Sequence, residues 1–325
     1  MRVPRMSAGT FRRLTTANVA FLVAVVVSGA IVRVTNSGLG CHDWPNCSAT
    51  QFVSVSTHHA AIEQINRILS GAIGVPLAFT VLGASVMTPR RADLVRLSWT
   101  LFGLFWFEAV LGGISVELKL AWVSVMGHFV LALALVGVAL QIRQRAREGT
   151  GPRRAQVTPA ASVLVRVVYV WTIGVVIAGT LVTAAGPHGG DQNTKRLSIP
   201  LTDLARVHGV SVDALVILAL VTAVVLVRTH APRTVLTTMS LAIAAMVAQG
   251  ILGYVQYAEA VPALLVGFHV FGAVVVFAAV QQLQLVTHRP VPDARPIDPG
   301  GRLSEPASLM ADGYRTSAAT RDPVA

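Results

Sequence analysis

The chain has 325 residues, 54% of them hydrophobic and 13% charged, with a formal net charge of +11. It is too apolar and too sparsely charged to be a water-soluble domain of this length. Its basic residues cluster between long apolar runs, which argues against nucleic acid as a partner and for a membrane protein in contact with anionic lipid.

Apolar segments of about 20 residues, enough to cross roughly 30 Å of hydrocarbon as helices, recur along the sequence. In chain order the expected spans are Thr15–Val34, Ala61–Met87, Asp93–Ser115, Leu120–Ile142, Ala160–Ala184, Leu204–Val227, Thr234–Tyr257 and Val261–Val286. The fold class is all-α, an integral membrane protein of eight transmembrane helices. The first span is too long, and too soon followed by others, to be a cleaved signal peptide. Residues 1–14 carry Arg2, Arg5, Arg12 and Arg13, and Arg90, Arg91 and Arg96 follow the second span. Residues 143–159 form a basic linker between the fourth and fifth spans, and Arg228 and Arg233 join the sixth to the seventh. Most of the 26 Lys and Arg thus share one side. The positive-inside rule makes that side cytoplasmic, with both termini there and the protein in the cell membrane. Residues 287–325 are rich in Pro, Asp, Arg, Ser and Gly and lack periodicity. They read as a disordered cytoplasmic tail.

Both cysteines, Cys41 and Cys47, lie in one polar loop, "GLGCHDWPNCS", after the first span. The charge rule puts this loop outside the cytoplasm, where disulfides persist. A bridge there closes a very short ring, so its entropic stabilisation is at the low end of the disulfide range. A structural staple and a redox role are both open.

The two halves of the chain resemble each other. "EAVLGGISVELKLAWVSVMGHF", from Glu108, aligns without gaps on "QGILGYVQYAEAVPALLVGFHV", from Gln249, at an offset of 141 residues that carries His128 onto His269. "SGAIV" at Ser28 matches "AGTLV" at Ala178. An even number of spans per repeat inserts both halves in the same sense, related by a pseudo-two-fold axis along the membrane normal. The expected architecture is two tandem four-helix bundles, residues 15–142 and 160–286, each able to hold a cofactor between facing helices.

His128, His208 and His269 each fall shortly inside the outer end of an even-numbered span. Coordinating side chains inside a membrane are costly and tend to be functional. His208 and His269, at similar depth in the second half, suit the two axial positions of a haem iron, and nearby glycines leave room for a macrocycle. A zinc site is disfavoured because no carboxylate or cysteine at that depth supplies a third ligand. Projected back by 142 residues, His208 falls on Asn66, in "AAIEQINRILSGAIG". The first half therefore has His128 without an opposing histidine. It also has Glu63, one turn before Asn66 on the same face, and His59 shares that face if the helix begins early. Glu108 and Asp213 are further intramembrane acids; the repeat mate of Glu108 is Gln249, which suggests a shared polar contact.

"SGAIVRVTNSGLGCHDWPNC", then "IEQINR", then histidines early in the fourth, sixth and eighth spans, resemble haem A synthase over about Phe11 to Val286. The resemblance implies oxidation of the C8 methyl of haem O to a formyl group, giving haem A for terminal oxidases. It implies a haem b between His208 and His269, and haem O as substrate in the first half with ligand positions at His128 and Asn66. It maps the family's span-two glutamate onto Glu63, in an acid–base or charge-stabilising role, and its paired cysteines onto Cys41 and Cys47. The implied partner is the haem O synthase, the protohaem farnesyltransferase. Asn66 departs from the pattern, since many members have histidine there and asparagine is a poor iron ligand. Either His128 holds the substrate alone, or His58 or His59 substitutes. Lys195, Arg196, Arg67 and Arg206 lie on the outer side as candidate propionate partners, and His188 as a candidate haem-edge contact.

The alternative is a membrane di-haem b-type cytochrome exchanging electrons with quinone through the same histidines. A repeat-built transporter is a weaker rival: its polar residues should gather near the midplane, whereas here they gather at the outer ends.

Overall fold

A computed structural model describes residues 6–290. Helix α1 (Ala8–Val34) starts where the Ser7 side chain caps the Thr10 amide, and α2 (His58–Ala72) starts under an equivalent cap from Thr57. The second span continues as α3 (Gly74–Val86). Pro76 cannot donate to the Ala72 carbonyl, so the helix is interrupted at Ile73 while that residue stays in the right-handed helical region. There follow α4 (Ala92–Glu117), α5 (Trp122–Arg147), α6 (Pro159–Ala185), α7 (Leu201–Arg228), α8 (Arg233–Ala258) and α9 (Ala263–Val286). Among the described residues, eight spans are long and apolar enough to cross a membrane. Large apolar side chains such as Phe21, Leu220 and Val224 face outward, and Leu264 is 72% exposed. An all-helical surface of this kind is stable only against hydrocarbon, and the protein is a multi-pass membrane protein.

In the first half α1 packs on α2, α3 and α5, and α4 packs on α3 and α5. In the second, α6 packs on α7 and α9, and α8 on α7 and α9. The halves meet where α9 touches α1 and α5 and where α5 touches α6. One face of α9, with Val274 and Phe277, joins a core built on Phe11, Leu77, Leu94, Leu101 and Val136. Its other face, with Val280 and Leu283, joins a core built on Val165, Leu215, Leu226 and Met239.

The repeat extends to the backbone. Lys119 and Leu120, after α4, both adopt positive φ, and so do Ala260 and Val261, after α8, at the same offset of 141. Non-glycine residues rarely adopt this conformation. Each pair is closed by the same bond, from Leu120 N–H to the Ser115 carbonyl and from Val261 N–H to the Gln256 carbonyl, both 2.8 Å. This turn delays α5 to Trp122, two residues later than the apolar run alone suggests. At the same end of the molecule the Gly38 amide donates to the Gly190 carbonyl, tying the first outer loop to the α6–α7 loop. Gly190 has φ +94°, which an L-residue rarely adopts.

At the opposite end a short antiparallel pair joins β1 (Arg153–Ala155) to β2 (His288–Pro290), with Arg153 opposite Pro290. Arg153 also bonds Glu148 at 2.6 Å and the His288 carbonyl. The linker and the first tail residues thus form a structured clasp where sequence suggested only irregular chain. The rest of the tail lies outside the described residues.

One buried polar contact joins the first two spans, from Asn18 Nδ2 to Thr80 Oγ1 at 2.6 Å. Thr80→Val leaves the Asn18 amide without that partner inside the bundle. It should cost about 1 kcal/mol in a denaturant titration of the detergent-solubilised protein. The double variant Asn18→Leu/Thr80→Val should cost less than Thr80→Val alone.

Candidate functional site

His208 on α7 and His269 on α9 face each other, ring centroids 6.4 Å apart and planes inclined at 75°. Both helices pack on α6 and α8, which lie to either side. Each ring stands over a glycine of a neighbouring helix. A Cβ on Gly179 of α6 would lie 3.0 Å from His208 Cε1, and a Cβ on Gly253 of α8 would lie 3.0 Å from His269 Cε1. His208 Nδ1 donates to the Val175 carbonyl at 3.1 Å, one turn from Gly179. That bond fixes the tautomer and leaves Nε2 as the nitrogen available to a ligand. The packed cores end below this level. In α5, α7 and α9 the fully buried apolar residues begin at Leu133, Leu215 and Val274, one to two turns deeper than His128, His208 and His269.

The first half repeats part of this arrangement. A Cβ on Gly112 of α4 would lie 3.0 Å from His128 Cε1. His128 Nδ1 is 3.3 Å from Glu108 Oε1, and its side chain is 42% exposed. Asn66 is not joined to His128. Its Oδ1 accepts from Ser28 Oγ at 2.9 Å. Gly29, the repeat mate of Gly179, has nothing within 4 Å of its Cβ position.

Cys41 and Cys47 form a disulfide. The loop it closes is held by α2. Arg67 donates to the carbonyls of Cys41, Asp43 and Asn46 and pairs with Glu63 Oε1 at 2.6 Å. Glu63 Oε2 accepts from the Cys41 amide at 2.7 Å, so both oxygens of this buried carboxylate are engaged. The loop also reaches α4. The Trp44 amide donates to Glu117 Oε1 at 3.1 Å, and the Trp44 indole lies on Gly113, where any Cβ would overlap it. Lys119 Nζ adds a bond to the His42 carbonyl at 3.3 Å. The repeat mate of Gly113 is Tyr254, whose hydroxyl donates to the Asp213 carboxylate at 3.2 Å.

α2 begins at His58, so His59 is helical. Its Nδ1 meets Ser37 Oγ at 2.9 Å, its ring packs on His58, and it lines a polar cavity of about 170 Å³ with Asn36 and Asp191. His188 donates from Nε2 to the Val261 carbonyl at 2.9 Å. Arg196 donates to the Pro187 carbonyl at 2.7 Å. Burial lowers the Arg196 pKa below its ordinary value, with the Asp191 carboxylate pulling the other way. Lys195 and Arg206 are exposed. Sequence reasoning missed the seating of Trp44 on Gly113 and the contact of Glu108 with His128. A signal for the second was present: Glu108 precedes His128 by the spacing at which Gln249 precedes His269.

Fold and sites define a polytopic helical membrane protein that presents histidines from two repeated halves. Residues 12–187, more than half of the chain, match the profile of the cytochrome oxidase assembly protein family COX15-CtaA. The chain belongs to this family, that of the haem A synthases. It is similar to "Heme A synthase" of Shewanella oneidensis, 28% identical over 151 residues, covering 41% of this chain and 44% of that protein. It is also similar to proteins of the same name from Symbiobacterium thermophilum, 30% identical over 105 residues (32% and 33%), and Rhizorhabdus wittichii, 26% identical over 204 residues (50% and 58%). The chain thus spans between about a third and three fifths of the length of these curated relatives.

The second half fits the haem-related cofactor that the family implies. Two metal–imidazole bonds of about 2 Å, with each ring centre about 1 Å behind its nitrogen, separate axial rings by roughly 6 Å. The observed 6.4 Å matches that span. Gly179→Ala or Gly253→Ala crowds a ring by overpacking worth about 1–3 kcal/mol, and should weaken haem retention about tenfold or more. Gly29→Ala, over open space, should retain haem as the wild type does. Soret absorbance per mole of purified protein measures both.

Proposed function

We propose that the protein is a haem A synthase, a membrane oxidoreductase converting the C8 methyl of haem O to a formyl group. The observation that carries this reading is the pairing of His208 with His269, each on its glycine, beside a first half that keeps His128 but has Asn66, bonded to Ser28, at the repeat position of His208. A pair of strong ligands suits a permanent haem b. A single histidine suits a substrate that must enter and leave. Under this reading the halves are two tandem bundles, residues 15–142 and 160–286, a division supported by their matching helix neighbours and turns. The plasma membrane is the site of action, with both termini cytoplasmic and the cysteine loop outside, as the distribution of arginine favours.

Haem b, when bound between His208 and His269, supplies a one-electron carrier. The Val175 carbonyl holds the His208 proton at Nδ1. His128 Nε2 binds the substrate iron. Glu63, one turn before Asn66 on α2, stabilises charge developing on the substrate's methyl carbon or accepts its proton. Arg67 and the Cys41 amide fix that carboxylate in place before substrate arrives. Haem O synthase is the enzyme whose product this site consumes.

Coexpression with a protohaem farnesyltransferase, followed by chromatography of the extracted haems, tests the reading. The wild type should yield haem A. Protohaem and haem O alone would refute the synthase and favour the di-haem cytochrome. Glu63→Ala should lower haem A formation about 10²–10⁴-fold while the second-half haem is retained. Unchanged activity would remove Glu63 from the mechanism. Asn66→His should convert the first-half haem to a six-coordinate low-spin form, seen in its visible and EPR spectra, and slow turnover by retaining the substrate.

A further inference from the structure

Glu108 and Gln249 occupy one position of the repeat, on α4 and α8, and the histidines they precede share the same glycine seat. Their contacts differ. Glu108 sets a carboxylate oxygen 3.3 Å from His128 Nδ1, its side chain is 14% exposed, and its second oxygen has no partner among the described residues. Gln249 instead gives its Nε2 to the backbone carbonyl of His269 at 2.7 Å; neither His128 Nδ1 nor His269 Nδ1 completes a hydrogen bond among the described residues, but only His128 has a carboxylate oxygen within 3.3 Å. His208 Nδ1 meets a peptide carbonyl, a neutral acceptor. One histidine of the three therefore faces an acidic group.

We propose that Glu108 is a positioning residue that accepts the Nδ1 proton of His128 as a hydrogen bond. It thereby makes His128 the most electron-rich of the three ligands and sets the first-half haem at a lower reduction potential than the second-half haem. This rests on the haem sites of the proposed function. An anionic acceptor behind a ligating imidazole raises the basicity of the opposite nitrogen. A more basic ligand favours the ferric over the ferrous state, and the low dielectric of a bundle interior enlarges the effect. Glutamine at the same position carries no charge and turns its amide nitrogen to the backbone, so the second half lacks this influence. A conversion that withdraws electrons from a substrate haem and delivers them to a neighbour runs downhill with that order of potentials.

The test is spectroelectrochemical titration of the full chain, purified with both haems after coexpression with the farnesyltransferase. His128→Ala, which keeps the second-half haem alone, assigns the two transitions. Glu108→Gln should raise the first-half potential by at least a tenfold change in the ferric to ferrous ratio, about 59 mV for one electron, and leave the other unmoved. Gln249→Glu should lower the second-half potential in return. An unchanged first-half potential in Glu108→Gln, or equal movement of both haems, overturns the proposal. If Glu108→Gln loses its haem, Gln249→Glu decides, and a second-half potential that fails to fall overturns it. Potentials that shift as stated in a protein making no haem A would refute the synthase reading and leave the role of Glu108 standing.

Discussion

Backbone-close packing of an imidazole on a glycine is the contact on which the interior of both halves depends. An imidazole carried into a bilayer must be held by protein, because hydrocarbon offers its nitrogens nothing. A glycine on the adjacent helix lets the ring lie against main chain instead of a competing side chain, and the arrangement recurs at Gly112, Gly179 and Gly253. Where the histidine is replaced, by Asn66, the corresponding Gly29 faces open space and the polar group turns to Ser28 instead. The glycine is thus common to all four positions, and the residue set against it differs.

The first outer loop follows a different rule. A ring of so few residues gains little from its own crosslink. Its conformation is set from outside, by one arginine satisfying three of its carbonyls and one carboxylate receiving its Cys41 amide. Glu63 and Arg67 form a mostly buried pair whose separate desolvation would be expensive, and each is compensated further by main-chain partners. The pair that anchors the loop includes the carboxylate for which a chemical role is proposed, so any such role and the loop geometry share one set of contacts.

Much of this was legible in the amino-acid order. The eight spans follow from apolar length, and the offset of 141 residues anticipates both the His128–His269 relation and the shared turn at Lys119–Leu120 and Ala260–Val261. The interruption at Ile73 was not read from the sequence, although Pro76 supplies its cause. The β1–β2 clasp was not, because three-residue strands are too short to show a period and their pairing is a contact between distant segments. Nor was the seat of Trp44. Gly113 reads as one more small residue in a membrane helix until the loop is folded over it. The partner of Glu108 was missed for a different reason: alignment with Gln249 suggested that the two do the same thing, whereas glutamate reaches the ring and glutamine reaches the backbone.

These contacts also connect the loop to the histidine it does not touch. Trp44 rests on Gly113, and the preceding residue, Gly112, is the seat of His128. The Trp44 amide is held by Glu117, one turn further along α4. On its other flank the loop holds Glu63 through the Cys41 amide, three residues from Asn66 on α2. One short crosslinked segment therefore braces the two helices that carry His128's seat and Asn66. In the second half that bracing is internal: Tyr254 supplies its own ring at the position of Gly113 and bonds directly to Asp213 of α7. The second half is tied there by side chains of its own bundle and by His188 of the α6–α7 loop, which bonds the Val261 carbonyl, and the first half by the cysteine loop.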